Sequence, residues 1–315
     1  MHEGNAPRHL SESRVVVAGV IRNGEQVLAS SIERLRSALS DAAEIHWVVI
    51  ESDSSDSTAD VLSGLRNSIQ NFTFESLGDL RQTVAERTER LAICRNRYLE
   101  IINSTPALDQ ADFVVVADLD GINDLVDAAG LNSCWLRGGW DACFANQAGP
   151  YYDIWTLRHP DWCPGNSRSE FHFLNSHERA SYRNLQASVF SRMIRVQADA
   201  DWIPVRSAFG GLGIYRRSSL RNRRYSHLDE FGQVCCEHVP LNLDLSRDGG
   251  RLYINPMLIN SGFNEHSRQV KLRPRLLRRA KLTTLDAIWK HLGSERHDLV
   301  LKLSTHLRET LTRRR

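Results

Sequence analysis

The feature that most constrains this chain is an apolar run, Phe113-Val114-Val115-Val116-Ala117, that stops on two carboxylates, Asp118 and Asp120. Such a run predicts a strand buried on both faces, and ligands of open α/β sheets bind beyond the carboxyl ends of such strands. Side chains two positions apart in a strand point the same way. Asp118 and Asp120 can therefore hold one hard divalent cation, Mn²⁺ or Mg²⁺, against a diphosphate.

Other interpretations of this motif also exist. A strand followed by an acidic turn gives the same letters without any ligand. An Asp-x-Asp-Gly sequence after an apolar strand also opens the haloacid-dehalogenase-like phosphohydrolases, and there Asp118 would be the nucleophile. That alternative is less favoured, because more than one hundred residues precede Asp118 and Ile122 stands where that family usually has Thr.

The residues before Asp118 predict βαβ units. Apolar runs predict strands over 14–21 and 45–50, with a short third strand over 72–75. Helical spacing of apolar residues predicts helices over 27–39, from about Thr58, and over 83–102. Strands that alternate with helices are typical of a mainly parallel sheet. We therefore predict an α/β fold with strand ends that face a ligand.

Composition is that of an ordinary soluble enzyme, with 315 residues, 41% hydrophobic and 25% charged. No segment is apolar enough to span a membrane, and the first residues lack the core of a secretory signal, so we expect a cytoplasmic location. The six cysteines form no C-x-x-C pair, which gives no zinc framework and favours reduced, packed thiols.

The net charge of +2 is unevenly distributed. Residues 271–315 contain thirteen Lys and Arg against four Asp and Glu, a net charge of +9, so that residues 1–270 carry −7. Two amphipathic helices separated near Gly293 are predicted by apolar residues at helical spacing, which are Leu285, Ile288, Trp289 and Leu292, then Val300, Leu303, Leu307 and Leu311. This basic tail either packs on the catalytic domain or makes peripheral contact with an anionic membrane or acidic partner. Nucleic acid is not expected, because no binding module accompanies the charge.

The order of motifs resembles the N-terminal half of GT-A glycosyltransferases. The residues that carry this resemblance are Arg22-Asn23, Glu51-x-Asp53-x-x-Asp56-x-Thr58, Arg90-Leu91-x3-Arg95-Asn96 and Asp118-x-Asp120. More narrowly, Glu89-Arg90-Leu91-Ala92-x2-Arg95-Asn96 and the later Cys236-Glu237-His238 resemble the capsule-associated α-1,3-mannosyltransferases of fungi and their bacterial relatives. The resemblance covers about residues 14–266.

This resemblance implies a GT-A, Rossmann-like nucleotide-sugar-binding fold with a mixed central sheet and a C-terminal basic helical extension. The implied domains are an extended or disordered N-terminus over 1–13, a catalytic domain over 14–270 and the basic tail over 271–315. Within the catalytic domain, the donor half covers about 14–130 and the acceptor half about 131–270.

The resemblance also implies roles for individual residues. The donor-binding set is Arg22, Asn23, Glu51, Asp53, Arg90, Arg95, Asp118, Gly210 and Gly211. Asp53 would contact the nucleoside, although it could instead be a turn residue. Arg95 could pair with the diphosphate or with a structural carboxylate, and Asn96 would position the loop after the first strand. Gly210 and Gly211 would let the backbone approach the donor closely.

Five of the seven tryptophans lie between Cys134 and Trp202, with several other aromatic residues nearby. Aromatic faces stack on sugar rings, which suits a saccharide acceptor, although most of these side chains are expected in the core. Candidate acceptor residues are Tyr152, Trp155, Trp162 and His238. Alternation predicts strands over 140–145 and 151–155, and the polar segment 159–183 is predicted to be a mobile acceptor loop.

The catalytic candidate is Glu237, which in an inverting enzyme would deprotonate the acceptor hydroxyl. Glu237 could instead complement the dipole of a helix N-terminus. His266 is the candidate third metal ligand, with His238 as the alternative. We predict a metal-dependent glycosyltransferase that moves a hexose, for which the resemblance favours mannose from GDP-mannose, to a saccharide or lipid-linked saccharide in surface-polysaccharide synthesis. A non-catalytic carbohydrate-binding module is the remaining alternative.

Overall fold

The computed structural model describes residues 9–264, 267–270 and 272–292. In these residues, the strands are β1 (Arg14–Ile21), β2 (Glu44–Glu51), β3 (Phe72–Ser76), β4 (Phe113–Asp118), β5 (Ala142–Gln147), β6 (Ile203–Val205), β7 (Leu212–Arg216) and β8 (Leu252–Ser261). The helices are α1 (Leu28–Ala38), α2 (Thr58–Ser68), α3 (Arg87–Ser104), α4 (Pro106–Asp109), α5 (Ala128–Asn132), α6 (Ser167–His177), α7 (Ser181–Ser188), α8 (Arg217–Leu220), α9 (His238–Arg247) and α10 (Leu272–Leu292).

The strands form one mixed sheet in the order β3-β2-β1-β4-β7-β5-β8-β6. The first four strands in this order are parallel, and β7 then runs antiparallel to both β4 and β5. The predicted α/β fold with a mixed central sheet is therefore confirmed. Because β1, β2 and β4 are parallel neighbours, their carboxyl ends lie at one edge of the sheet.

The central strands are buried on both faces, as their apolar runs predict. Val15, Val16 and Val17 in β1 are each no more than 1% exposed, and Val114 to Ala117 in β4 are fully buried. Burial of a side chain of this size contributes about 1.5–3 kcal/mol. The core therefore fixes the ends of β1 and β4 where the polar residues begin.

The chain divides into two compact units. The first contains residues 1–166 and 194–264 as far as they are described, and it holds the whole sheet. The second contains residues 167–193 and the described residues after 264, which form α6, α7 and α10. No helix in the described part of the chain is both long and apolar enough to cross a membrane.

Two predicted elements of the middle segment are wrong. Residues 151–155 form an irregular turn, because the Asp153 carboxylate accepts hydrogen bonds from Gly210 N and Thr156 Oγ1, at 2.9 and 2.8 Å. The predicted loop over 159–183 contains α6 and the start of α7. Its Pro and Gly residues end before Ser167, so they precede the helix and do not interrupt it.

Candidate active site

A buried arginine joins two carboxylates at the carboxyl edge of the sheet. Arg95, on α3, is 2% exposed. Its Nε donates to Glu237 Oε1 at 2.8 Å, and its Nη2 donates to Asp118 Oδ1 at 3.0 Å. The sequence allowed Arg95 to pair with a diphosphate or with a structural carboxylate, and in the structure it pairs with carboxylates. These contacts bring together Arg95, Asp118 and Glu237, which the sequence selected separately.

Aromatic rings surround this guanidinium. Its central carbon lies 5.3 Å from the Phe209 ring centroid and 5.9 Å from that of Tyr225. Asn96 clamps the backbone of Tyr225, because its Nδ2 donates to Tyr225 O and its Oδ1 accepts from Tyr225 N. The expected role of Asn96 beside the first strand is therefore wrong. Asn96 instead fixes one wall of the Arg95 site.

Asp118 is the last residue of β4, and Asp120 lies two residues beyond it in a bend. Leu119 between them is fully buried, whereas Asp118 is half-buried and Asp120 is exposed. Burial raises the pKa of Asp118 to about 7; Arg95 opposes this shift, and repulsion from Asp120 adds to it. Burial of Asp118 is thus the main cause of its raised pKa, and the charge of Asp120 adds to it.

These two carboxylates suit a hard divalent cation. Mg²⁺ and similar ions are commonly held by one or two carboxylates together with phosphate oxygens of the substrate. Arg95 occupies Oδ1 of Asp118, so Oδ2 remains as a ligand, and Asp120 provides the second carboxylate. In the described residues there is no group of three or more His, Cys, Asp or Glu side chains that could hold a metal. The predicted ligand His266 lies outside the described residues.

The glycine pair beside Asp118 brings backbone close to this space. Asp118 N donates to Gly211 O at 2.9 Å, and Gly210 and Gly211 have φ angles of +69° and +92°. A Cβ at Gly211 would lie 2.9 Å from Ile122 Cγ2 and 3.1 Å from Tyr152 OH. Both the backbone conformation and the space therefore require glycine at position 211.

A buried amide network supports the glycine pair. Asn123 Nδ2 donates to Asp118 O and to Gly211 O, at 2.7 and 3.0 Å. Asn260 Nδ2 donates to Asn123 Oδ1 and to Gly210 O, at 2.7 and 2.8 Å. Because buried polar groups are costly unless they are paired, this network fixes the backbone beside Asp118.

Sequence reasoning missed Asn123, Asn260 and Asp153. Asp153 holds Gly210 N and is part of an Asp-x-x-Thr pattern, which is a recognisable turn signal. Asn123 follows Asp120 by three residues, but nothing in its neighbours shows that it would reach Gly211. These three residues hold the backbone of the site.

The loops after β1 and β2 are bound tightly to each other. Asn23, which has a φ of +51°, donates from its N to Ser54 Oγ at 2.9 Å and accepts from Ser55 N at 2.8 Å. Glu51 is 4% exposed and accepts from Ser54 N and Ser76 Oγ. Glu51 and Asn23 are therefore placed to shape these loops.

The remaining donor candidates lie beside these loops. Asp53 has a φ of +62° and a side chain only 3% exposed. Its Oδ2 lies 3.3 Å from Arg90 Nε. Arg22 is exposed at the end of β1. Asp53, Arg90 and Arg22 thus lie at the same edge of the sheet as Asp118.

The four candidate acceptor residues have different surroundings. Tyr152 lies beside Gly211, whereas Trp155 packs on a small cluster of Cys235, Cys236 and Val239. Trp162 contacts the Tyr151 ring edge-on, with centroids 5.2 Å apart. The fourth candidate, His238, is buried. Of the first three, Tyr152 lies nearest to the glycine pair.

His238 is buried, with 1% of its surface exposed, and its ring stacks on Phe209 at a centroid distance of 3.8 Å. Among the described residues neither ring nitrogen has a hydrogen-bond partner, and Nε2 lies 3.8 Å from Glu237 Oε1. Burial, and then the positive charge of Arg95, lower the pKa of His238 well below its usual range. The imidazole is therefore neutral at physiological pH and packs behind Arg95.

A separate cavity of about 1340 Å³ lies at the opposite end of the sheet. Its lining includes Arg14, Glu44, Asn71 and Asp112, which lie at or near the amino ends of β1 to β4. Ligands of open parallel sheets bind at the carboxyl ends. This cavity is therefore distinct from the Arg95 site.

Searches of the sequence against protein families and against curated proteins return no match. Among solved structures, the chain is similar to mannosyltransferase PcManGT from Pyrobaculum calidifontis in complex with GDP-Man and Mn²⁺, with 13% identity, a TM-score of 0.45 and coverage of 94% of this chain and 80% of that one. It is also similar to S. aureus TarS 1-349 in complex with UDP-GlcNAc, with 11% identity, a TM-score of 0.44 and coverage of 87% and 66%.

A third similar structure is glucosyl-3-phosphoglycerate synthase from Mycobacterium tuberculosis with Mn²⁺, UDP and phosphoglyceric acid. Its identity is 13%, its TM-score is 0.39, and the match covers 88% of this chain and 78% of that one. The chain spans 57 to 66% of the TarS 1-349 structures. The nucleotides, sugars and metal ions named here are ligands of those proteins.

Proposed function

We propose that this chain is a metal-dependent GT-A glycosyltransferase that moves a hexose from a nucleotide diphosphate donor to a saccharide acceptor. The observation that supports this proposal lies at the carboxyl edge of the sheet, where Arg95 pairs with Asp118 and Glu237, Gly211 O accepts from Asp118 N, and Asp120 follows Asp118 by two residues. This set offers cation ligands, close backbone approach and a separate carboxylate for proton transfer.

In this mechanism, Asp118 and Asp120 would hold Mn²⁺ or Mg²⁺ against the donor diphosphate. The cation would offset the negative charge of the leaving nucleoside diphosphate. Arg95 keeps Asp118 oriented by its 3.0 Å hydrogen bond. The Gly210-Gly211 backbone would lie along the donor, because no side chain keeps a ligand away from it.

Glu237 is the proposed proton acceptor. Its Oε1 is held by Arg95, while Oε2 has the Cys236 thiol at 3.7 Å. In an inverting reaction, the acceptor oxygen would form a bond to the anomeric carbon as the bond from that carbon to the diphosphate oxygen breaks. The hydroxyl proton would pass to Glu237 Oε2. In a retaining reaction Glu237 would position the reactants.

A phosphohydrolase that uses Asp118 as nucleophile is less consistent with these contacts. A nucleophilic carboxylate needs an oxygen that can reach the phosphorus, whereas Arg95 holds Oδ1 of Asp118 in an ion pair and Ile122 stands where that family usually has Thr. A non-catalytic carbohydrate-binding module would not need Asp118 and Glu237 to share one buried arginine. Both alternatives remain outcomes of the experiment below.

The finer proposal follows the sequence resemblance, with mannose from GDP-mannose as donor and surface polysaccharide, including capsule, as product. The proposed location is cytoplasmic, beside a lipid-linked acceptor. In α10, Leu276 and Leu277 are 54% and 65% exposed and neighbour the exposed Arg275 and Arg279. We propose that this surface makes peripheral contact with an anionic membrane.

Packing inside the second unit limits which residues of α10 can take this role. Leu285 is 7% exposed, and the Asp286 carboxylate accepts from Ser181 N at 2.8 Å. The side chains of Ile288, Trp289 and Leu292, and all of the predicted second helix, lie outside the described residues. The proposed membrane surface therefore centres on Leu276 and Leu277, and the neighbouring Arg275 and Arg279 also contact Tyr182 of α7.

The test is hydrolysis and transfer with a panel of nucleotide sugars in the presence of Mn²⁺ or Mg²⁺. We expect slow, metal-dependent release of nucleoside diphosphate from one donor, with faster release when a saccharide acceptor is added. Phosphate release with a phosphoaspartyl adduct on Asp118 would instead indicate a phosphohydrolase. Saccharide binding without turnover of any donor would indicate a binding module.

A further inference from the structure

A series of hydrogen-bonding groups leads from Glu237 to a second carboxylate, that of Asp153. Glu237 Oε2 lies 3.7 Å from Cys236 Sγ, and Cys236 Sγ lies 3.0 Å from Thr156 Oγ1. Thr156 Oγ1 in turn lies 2.8 Å from Asp153 Oδ1. Cys236 and Thr156 are 80 positions apart in the sequence, so only the fold brings them together. We call these four side chains the Glu237–Asp153 connection.

The two middle groups of this connection are buried, and each carries one exchangeable hydrogen. Thr156 is 1% exposed and Cys236 is 9% exposed. Burial, and then repulsion from Glu237 and Asp153, raise the pKa of Cys236 well above its usual range, so the thiol keeps its proton. A hydroxyl and a thiol can each donate one hydrogen bond while they accept another. Each group can therefore take up a proton on one side and release its own on the other.

The two ends of the connection differ in their surroundings. Glu237 is 3% exposed, and its Oε1 is held by Arg95. Asp153 is half-buried, and its Oδ2 accepts from Gly210 N at 2.9 Å. Burial raises the pKa of Asp153, although the hydrogen bonds from Gly210 and Thr156 oppose this shift. Asp153 therefore takes up a proton more readily than a carboxylate in water does.

The ion pair with Arg95 favours the ionised form of Glu237. If Glu237 Oε2 takes the proton of an acceptor hydroxyl, Glu237 becomes neutral, and the buried Arg95 loses one of its two carboxylate partners. A buried charge without its partner is costly, so this neutral state is unfavourable. Passage of the proton to another group restores the ion pair. Asp153, at the other end of the connection, is a carboxylate that can receive it.

We propose that Cys236 and Thr156 carry the acceptor proton from Glu237 to Asp153. The proton on Glu237 Oε2 passes to Cys236 Sγ, the thiol proton passes to Thr156 Oγ1, and the hydroxyl proton passes to Asp153 Oδ1. Glu237 ends ionised and Asp153 ends protonated, while Cys236 and Thr156 are neutral before and after the step. The half-buried Asp153 then releases the proton to water.

This inference rests on the proposed function, since it takes Glu237 as the proton acceptor of an inverting transfer. Cys236, Thr156 and Asp153 act through Glu237 and need not touch the substrate, so they are positioning residues of the reaction. Their loss should slow the chemical step and leave the binding of the donor unchanged.

The test compares variants of the full chain in the transfer assay, with Mn²⁺ and the nucleotide sugar that the parent turns over. Thr156→Val removes the hydroxyl and keeps the shape, and Cys236→Ala removes the thiol. Each should lower kcat about tenfold, which is less than the loss for Glu237→Gln because Glu237 itself remains, and leave the KM of the donor nearly unchanged. Thr156→Ser and Cys236→Ser are the matched controls. Each keeps an O–H group and should retain most of the parent kcat.

Double variants separate proton transfer from a structural role. In the Glu237→Gln background there is no proton to carry, so addition of Thr156→Val should leave the residual rate unchanged, whereas a structural defect would lower it further. A raised donor KM with an unchanged kcat in Thr156→Val would mean that Thr156 only holds Asp153 and the Gly210 backbone, and the inference would be wrong.

The outcomes also distinguish this inference from the proposed function. If the parent transfers no sugar from any donor, both fail. If the parent transfers sugar but Thr156→Val and Cys236→Ala match its kcat, or if NMR shows that the product retains the anomeric configuration, only the inference fails. Circular dichroism identifies a variant that does not fold, and the other of the two single variants then decides the result.

Discussion

Asp118 and Glu237 accept hydrogen bonds from the same buried guanidinium, although 23 and 142 positions separate them from that arginine in the chain. Each carboxylate therefore depends on the other for its environment. Asp118 ends β4 and Glu237 directly precedes α9, so Arg95 couples the proposed metal site to the proposed proton acceptor.

This coupling predicts a large stability loss when the arginine is removed. Arg95→Met should lower the free energy of unfolding by about 3–5 kcal/mol, because Glu237 would remain buried without its charged partner. Arg97→Met is the matched control, since Arg97 is 38% exposed and its ion pairs are at the surface. It should cost no more than about 1 kcal/mol. Urea unfolding followed by tryptophan fluorescence measures both, and equal losses would contradict the buried pair.

A second prediction concerns the metal site. Asp120→Ala should abolish Mn²⁺-dependent binding of nucleoside diphosphate and leave the fold intact, because Asp120 is exposed and contributes little packing. Asp124→Ala removes a nearby exposed carboxylate and should leave binding unchanged. Calorimetry with and without Mn²⁺, together with circular dichroism, provides the comparison. If the Asp120 variant binds the nucleoside diphosphate and Mn²⁺ as tightly as the parent, Asp120 is not a metal ligand.

A third prediction separates proton transfer from donor binding. Glu237→Gln keeps the shape and the acceptor for Arg95 but cannot take a proton, so kcat should fall about a hundredfold or more while donor affinity changes little. Turnover near the parent value would make Glu237 structural. NMR of the product anomer decides whether a loss reflects a missing base, in an inverting reaction, or a missing positioning group, in a retaining one.

A fourth prediction follows from the buried histidine. The pKa of His238 is lowered in the folded state, so below about pH 6.5 the unfolded chain binds a proton that the folded chain does not. The folded state should therefore lose about 1.4 kcal/mol per pH unit from this group as the pH falls below 6.5. Above this pH both states are neutral and the contribution disappears.

His238→Phe isolates this effect. The substitution keeps the stacking on Phe209 and removes two ring nitrogens that have no hydrogen-bond partner in the described part of the chain, so no hydrogen bond described there is lost. As the pH falls from 7 to 5, we expect the variant to become progressively more stable than the parent. Parallel stability curves over this range would show that His238 is not held neutral.

A fifth prediction tests the proposed membrane surface. Leu276→Ser with Leu277→Ser should weaken binding to vesicles rich in anionic lipid at low salt, because both side chains are exposed beside basic residues. Raised salt should weaken the parent as well, since the attraction is partly electrostatic. Leu136→Ser is the matched control, because Leu136 is 80% exposed and lies in the first unit. If the parent does not bind the vesicles at low salt, α10 has no membrane role.

Point variants in α10 test the membrane surface more directly than removal of residues 271–315 would. Asp286 accepts hydrogen bonds from Ser181 N and Oγ, at 2.8 and 2.5 Å, and Arg275 Nε donates to Tyr182 OH at 3.0 Å. Deletion from residue 271 would remove these contacts along with the charge. Any loss of activity would then have two explanations, whereas substitution of exposed leucines keeps the packing of α7 and α10.

Local sequence determined the strands that build the site. The runs in β1 and β4 are apolar and β2 is apolar from Trp47 to Ile50, a pattern that favours strands buried on both faces, so the strand ends and the position of Asp118 could be predicted. The turn at 151–155 could not, because the alternation there is overridden by the hydrogen bond from Gly210 N to Asp153, 57 positions apart. Tertiary contacts of this kind compete with local preference and leave no local pattern.

The sequence by itself determined the residue types of the candidate site and the strands that carry Asp118 and Asp120. Only the tertiary structure decided that Arg95 pairs with Asp118 and Glu237, that His238 is buried, and that Arg90 lies against the Asp53 carboxylate. The physical reason is the separation along the chain of the groups that interact. Hydrophobic periodicity is a local property of the chain, whereas ion pairing, desolvation and charge clustering depend on groups that meet only after the sheet has formed.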